Sequence, residues 1–257
     1  MISFRDVSKR FGDKEVLKGF SLEVRDGETM IILGYSGTGK SVALKHIVGL
    51  LAPDSGEVEV DGQIVHHLDR NGLADLRSRI GYVFQFAALF DSMTVEENIK
   101  LGLKRRRLSE TEMNERVRES LSLVDLSGSE PRYPAELSGG MRKRVGIARA
   151  IALRPRYILY DEPTTGLDPV TTSVINELMI RTREKLGVTG IVVTHDLASA
   201  YAVGDRIAML YHGAVRQVDT AENIRRTHDP IVRSFIEGRA EAANETEWGR
   251  VGTRETA

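Results

Sequence analysis

Apolar residues along this chain follow two rhythms. Near the N-terminus Ile2 and Phe4, then Leu22 and Val24, alternate with polar neighbours, and turn pairs such as Gly12-Asp13 and Asp26-Gly27 separate the runs. That alternation predicts short strands with one buried face. Glu57-Val58-Glu59-Val60 alternates as well and ends in Asp61-Gly62, so a hairpin joins the same antiparallel unit. Met30-Ile31-Ile32-Leu33 is continuous instead and runs into a Gly-rich loop, the pattern of a strand buried on both faces of a parallel sheet. A helix is expected from Lys40 to Leu50, stopped near Pro53. Strand signals return at Tyr157 to Tyr160, Gly190 to Thr194 and Ile207 to Leu210, with helical stretches between them. This is the rhythm of a parallel α/β sheet.

Between about Phe86 and Ala135 the texture turns helical. Thr94-Val95-Glu96-Glu97 has the capping-box pattern, in which the Thr hydroxyl and the Glu carboxylate satisfy first-turn amides reciprocally. The block reads as a helical insertion. After Gly238 the residues are small and polar, which predicts a flexible tail.

Composition adds mainly exclusions. With 257 residues, 41% hydrophobic and 28% charged, the chain can close a sizeable core. Thirty-six Lys+Arg against 37 Asp+Glu leave a net charge of -1, so nucleic acid has no electrostatic support as a partner. There is no Cys, which excludes disulfides and thiolate chemistry and fits a reducing compartment. No apolar run approaches the roughly 20 residues a membrane helix needs, and the first residues lack a signal-peptide build. By itself the chain is expected not to cross a bilayer.

The candidate chemistry begins at Gly34-Tyr35-Ser36-Gly37-Thr38-Gly39-Lys40-Ser41, which fits G-x-x-x-x-G-K-[ST] between a buried strand and a helix. Glycines let backbone N–H groups curl around phosphate oxygens, and the helix N-terminus adds partial positive charge. Lys40 would reach the β- and γ-phosphates, and the Ser41 hydroxyl would help hold Mg²⁺. Tyr157 to Tyr160 ends in Asp161-Glu162. Alone, such a pair reads as a solvated turn; beside a phosphate loop it reads as phosphoryl-transfer chemistry. Neighbours on a strand point to opposite faces, so the two carboxylates should divide the work, Asp161 taking the metal and Glu162 the attacking water.

Leu137-Ser138-Gly139-Gly140-Met141-Arg142-Lys143-Arg144 resembles the signature motif of ATP-binding cassette (ABC) ATPases. Asp161 to Pro169 resembles Walker B running into the D-loop, Gln85 the Q-loop, and His195 the switch histidine. The resemblance covers about residues 1 to 225. It implies an α/β P-loop NTPase (RecA-like) core with an antiparallel β subdomain and an inserted helical subdomain at about 86–137, followed by a C-terminal helix and tail over 226–257. It implies ATP and Mg²⁺ as cofactors. Ser41, Asp161 and Gln85 would serve the metal, and Phe11 would stack on adenine. The loop from Gly34 through Val42 would bind the nucleotide. Glu162 would act as base, His195 would orient it and the γ-phosphate, and Gln85 would couple the metal and attacking water to the helical block. Ser138 caps a helix whose first turn, Gly139-Gly140, leaves amides bare, a second anion site. In the family that site faces the phosphate loop of a second copy in a closed head-to-tail homodimer, and the resemblance counts Asp168 of the D-loop with Ser138, Gly139 and Gly140 among the nucleotide-binding residues.

Met141 where many solute importers have Gln, the segment Phe86 to Ile99, and Val42 after the phosphate loop most resemble ATPases of bacterial lipid transporters of the Mla and Mce-associated type. That likeness implies a peripheral protein on the cytoplasmic face of the inner membrane. Its partners would be integral-membrane permease subunits, a small cytoplasmic regulatory subunit and a periplasmic lipid-binding subunit. The ATPase of a solute importer, such as one for amino acids, is the alternative; a soluble ABC ATPase ranks below both. Ile224, Ile231, Val232, Phe235 and Ile236 suit a short amphipathic helix that packs on its own domain or on a partner. Trp248 would suit an anchor in a strap around a neighbouring subunit, against the plain alternative of disorder. Lys104-Arg105-Arg106-Arg107 reads as a solvated face or as a contact for anionic headgroups.

Overall fold

The computed structural model describes residues 1–106 and 108–239; Arg107 and the segment carrying Trp248 lie outside them. In chain order the first elements are β1 (Ile2–Phe11), β2 (Lys14–Val24), β3 (Thr29–Leu33), α1 (Lys40–Ile47), β4 (Ser55–Val60) and β5 (Gln63–Ile64). Next come α2 (Arg70–Ser78), β6 (Ile80–Val83), α3 (Val95–Leu103), α4 (Glu110–Leu123), α5 (Gly139–Ala152), β7 (Tyr157–Asp161) and α6 (Pro169–Leu186). The chain continues through β8 (Thr189–Thr194), α7 (Leu197–Val203), β9 (Arg206–Tyr211), β10 (Ala214–Thr220), α8 (Ala221–Arg225) and α9 (Pro230–Ile236).

A four-stranded antiparallel sheet has the order β2-β1-β4-β5, and a six-stranded sheet the order β10-β9-β3-β8-β7-β6. In the larger sheet β9, β3, β8, β7 and β6 run parallel, and β10 closes one edge antiparallel. The pleat divides its side chains between two cores. Met30, Ile32, Tyr157, Leu159, Ile191 and Val193 join α1 and the antiparallel sheet on one side. Ile31, Leu33, Ile158, Tyr160, Val192 and Met209 join the helices on the other. Continuous apolar strands are therefore what the two-faced packing requires, and α1 is fixed between two sheets through Ala43, Leu44 and Ile47.

Local signals account for most boundaries. Asp61 (φ 51) and Gly62 (φ 80) both take left-handed backbone, the geometry of a two-residue hairpin turn. Both capping-box bonds are present at Thr94 and Glu97, and a second box, Ser109 with Glu112, opens α4. One expectation fails: α1 ends at Ile47, not Leu50. Gly49 (φ 63) turns the chain left-handed, its N–H donates to His46 O, and Leu50 N–H donates to Lys45 O. This Schellman arrangement satisfies the last carbonyls before Pro53 is reached. The C-terminal apolar set packs on this chain's own core, with Ile224 and Val232 fully buried and Phe235 nearly so. In the basic run, Lys104 and Arg105 are exposed, whereas Arg106 turns inward and donates to Ser78 O.

Candidate active site

The carboxyl ends of β3, β7 and β8 and the N-terminus of α1 meet in a cleft of about 510 Å³. Ser36, Gly37, Gly39, Lys40, Ser41 and Val42 line it from the loop, and Phe11, Gln85, Glu162, Thr165 and His195 from elsewhere in the chain. Glycine is required at two places in the loop by close approach. A Cβ on Gly34 would meet Leu210 O at 2.5 Å, and one on Gly39 (φ 103) would meet Val16 Cγ1 at 2.9 Å. Gly39 is also the N-cap of α1 and supplies no side-chain acceptor, so the first amides of that helix remain available to an anion.

Two pairs of charged or polar groups organise the cleft. Lys40 is only 5% exposed; its Nζ donates to Gly34 O at 2.8 Å and Tyr35 O at 2.9 Å and lies 3.4 Å from Glu162 Oε1. Burial pushes the Lys40 ammonium down from its ordinary pKa, and Glu162 opposes that shift. Next in sequence, Ser41 Oγ donates to Asp161 Oδ1 at 2.6 Å, and Tyr82 Oη donates to Asp161 Oδ2 at 2.9 Å. Burial first, then the Asp161 charge, raises the Tyr82 pKa, which keeps its proton available for that bond.

The strict division of Asp161 and Glu162 between opposite faces is corrected here. β7 ends at Asp161, and Glu162 takes positive φ (48), so the alternation breaks and both carboxylates serve consecutive residues of α1. A left-handed non-glycine residue costs about 1–2 kcal/mol. The turn is held by Glu162 N–H donating to Val193 O at 3.0 Å, by Thr165 Oγ1 donating to Oε2 at 3.0 Å, and by His195 Nδ1 at 2.9 Å from the same oxygen. With Lys40 beside its other oxygen Glu162 acts as an acceptor, which assigns the hydrogen of this contact to Nδ1.

Gln85 enters the cleft from the loop after β6, whose backbone is gripped from α5. Lys143 Nζ donates to Gln85 O; Arg149 donates to Ala87 O at 2.7 Å and Ala88 O at 2.6 Å. Ala87 (φ 58) and Ala88 (φ 48) are both left-handed, and the half-buried Arg149 guanidinium compensates the carbonyls that this strained loop turns away from regular pairing. Neither cation was legible as a site residue, since a cation in a helix reads as a solvated face. Tyr82 and Thr165 were missed too: a Tyr in a strand and a Thr in a turn carry no signal of their own.

Ser138, Gly139, Gly140 and Asp168 do not line this cleft. Ser138 Oγ accepts from Met141 N–H at 3.2 Å as the N-cap of α5. Asp168 caps α6, accepting from Val170 N–H and Thr171 N–H at 3.0 Å each and from Thr171 Oγ1; those bonds pull its pKa down. Gly140 sits against the same Thr171, where a Cβ would meet Cγ2 at 2.7 Å.

The model of the ABC transporter family matches residues 17–165. The chain belongs to that family. It is the ATP-binding subunit of an ABC transporter, a cassette ATPase that hydrolyses ATP, and ATP with Mg²⁺ is its cofactor pair. Among known proteins, this cassette is 40% identical over 259 residues to the chloroplastic protein TRIGALACTOSYLDIACYLGLYCEROL 3 of Arabidopsis thaliana, covering 93% of this chain and 74% of that one. It is 38% identical to a probable ribonucleotide transport ATP-binding protein of Mycobacterium leprae, over 93% of this chain and 69% of that one. A sulfate/thiosulfate import ATP-binding protein of Synechocystis is 41% identical over 91% of this chain and 65% of its own. The solved dimeric, post-hydrolysis structure of the ATP-binding cassette MJ0796 with ADP and Pi superposes with a TM-score of 0.78 at 36% identity, over 86% of this chain and 99% of that one. ATPase domains of this family form dimers and work with transmembrane permease subunits. Among the described residues no helix is long and apolar enough to cross a membrane.

The donor set suits the cassette's metal. Mg²⁺ keeps several waters and takes one or two protein oxygens, and the paired Ser41 hydroxyl and Asp161 carboxylate are oxygens of that kind.

Proposed function

We propose that this cassette drives a lipid transporter moving phospholipids or related lipids between bacterial inner and outer membranes, from the cytoplasmic face of the inner membrane. The observation that carries the reading is the 40% identity, over nearly the whole chain, to a relative whose name is that of a diacylglycerol glycolipid. The ATPase domain spans residues 1–225, with the helical part at 86–137 docking on integral-membrane subunits. Phe84, Phe86 and Phe90 flank Gln85 and are 41%, 84% and 50% exposed, an apolar surface suited to burial by such a partner. A small regulatory subunit and a periplasmic lipid-binding subunit complete the assembly.

In this reading Ser41, Asp161 and Gln85 would hold Mg²⁺, which would supply neutralisation of phosphate charge. Lys40 exchanges its loop carbonyls for the β- and γ-phosphates, and Phe11 stacks on adenine. Glu162, aimed by Thr165 and His195, takes a proton from the attacking water while His195 Nε2 faces the γ-phosphate. Ser138 to Gly140 and Asp168 of a second copy close the site.

The sulfate/thiosulfate relative at 41% and a methionine import ATP-binding protein of Xylella fastidiosa at 40% favour a second reading, a solute importer. The complex purified from detergent-solubilised membranes with its own permease, reconstituted in vesicles, separates the two. ATP-dependent transfer of a fluorescent phospholipid, lost in Glu162→Gln, is the expected result; sulfate or amino-acid uptake without lipid transfer overturns the lipid reading.

A further inference from the structure

The C-terminal helix α9 reaches the phosphate loop. The Phe235 ring meets the Tyr35 ring edge-to-face, with centroids 4.7 Å apart and planes at 86°. Tyr35 occupies a loop position between Gly34 and Ser36, and it is the residue whose carbonyl accepts from both Lys40 Nζ at 2.9 Å and Thr38 Oγ1 at 2.8 Å. We propose that Phe235 is a positioning residue of the ATP site, acting through Tyr35, which makes α9 a brace of the phosphate loop. The proposal rests on the reading of Gly34 to Ser41 as that loop.

Three observations carry it. First, α9 is docked firmly. Asp229 caps it by accepting from Ile231 N–H at 3.0 Å and Val232 N–H at 3.1 Å, Arg216 Nε on β10 donates to the same carboxylate at 2.8 Å, and Val232 is fully buried. Second, the loop's first corner is fixed from two sides. Gly34 abuts the β9 backbone at Leu210 O, and Tyr35 abuts α9, so elements outside the loop bear on the corner as well. Third, inside the loop the corner is held through its carbonyls by Lys40 Nζ and Thr38 Oγ1, but Gly37 (φ 79) and Gly39 (φ 103) supply conformational freedom and no side chain, so contacts from outside the loop add order. A site whose binding geometry is only part of the time populated loses affinity in proportion. An aromatic pair in edge-to-face contact is strong enough to matter on that scale, since its loss corresponds to about a threefold to tenfold change in an equilibrium constant.

The test measures equilibrium binding of a fluorescent N-methylanthraniloyl ATP with Mg²⁺ to the full chain. Phe235→Leu, which keeps an apolar side chain in the core, is expected to raise Kd about threefold to tenfold, and Phe235→Tyr to restore it. Turnover at saturating ATP should change less than about twofold, so the loss falls on KM. Tyr35→Leu should weaken binding by a similar factor, and the double variant should be no weaker than either single one, because each removes the same contact. An unchanged Kd in Phe235→Leu, or a double variant whose loss is the product of the two singles, overturns the brace. Lys40→Ala is the control that separates the two claims. If it weakens binding and Phe235→Leu does not, only the brace fails; if Lys40→Ala leaves binding intact, the phosphate-loop reading itself fails.

Discussion

The cleft at the head of α1 and the glycine end of α5 are both helix N-termini, and the proposed function gives each an anion to bind, yet they are finished differently. At α1 the cap is a glycine with no acceptor, and the surrounding side chains converge: Lys40 on two carbonyls and Glu162, Ser41 and Tyr82 on Asp161, His195 and Thr165 on Glu162. At α5 the cap is Ser138, its hydroxyl turned back on Met141 N–H, and the nearby Asp168 is spent on capping α6. Among the described residues, Gly139 and Gly140 lie outside the cleft that Lys40, Glu162 and His195 line. One anion site thus carries its chemistry and the other carries only its amides. ATPase domains of this family form dimers, and the proposed function has the second end completed by the first end of another copy.

Nucleotide binding by a single copy should then respond to changes in the cleft and not to changes at α5. The largest effect is expected from Glu162→Gln, which keeps the shape and the Thr165 contact but removes the base. Turnover should fall about 10²- to 10⁴-fold with nucleotide binding retained, read by phosphate release and equilibrium titration; near-normal turnover rejects the role. Lys40→Ala comes next, weakening nucleotide binding by about 10- to 100-fold, the scale of a lost charge-assisted hydrogen bond. Tyr82→Phe removes one of the two donors on Asp161 while the ring remains stacked near Phe84. It should raise the Mg²⁺ concentration needed for half-maximal nucleotide binding about threefold to tenfold, with little change at saturating Mg²⁺; an unaltered Mg²⁺ titration removes Tyr82 from the site. The smallest effect belongs to Ser138→Ala, which loses an N-cap worth about 1 kcal/mol and should lower Tm by about 2–4 °C. Nucleotide affinity of the single copy should stay the same, and a clear fall there would mean that α5 serves its own cleft.

The readable parts of the molecule were those whose cause is local. Met30 to Leu33 and Tyr157 to Tyr160 announce two-faced burial by composition alone, and the Thr94 box is a four-residue pattern. The phosphate loop and the carboxylate pair were legible because their chemistry fixes residue types at fixed spacing. Elements that owe their state to neighbours were not. Helix α2 buries only Leu76, β6 is four residues with a glycine inside, and β10 is an edge strand with irregular register after Val215. Within the site, the sequence contains no hint that Glu162 turns left-handed, because Val193, Thr165 and His195 hold it from separate parts of the chain. The α9 contact with Tyr35 is hidden for the same reason, two hundred residues of chain lying between an apolar helix and the loop it touches.

The central claim is that the glycine end of α5 acts on the nucleotide of another copy. Light scattering on size-exclusion-separated Glu162→Gln protein with Mg-ATP tests it most directly, alongside the Glu162→Gln/Ser138→Arg double variant. An ATP-dependent dimer is expected for the first. For the second, the expected result is a monomer that still binds nucleotide within about twofold of the first's single-copy affinity. A double variant that still dimerises with ATP, or whose single-copy affinity collapses as Lys40→Ala does, would contradict it.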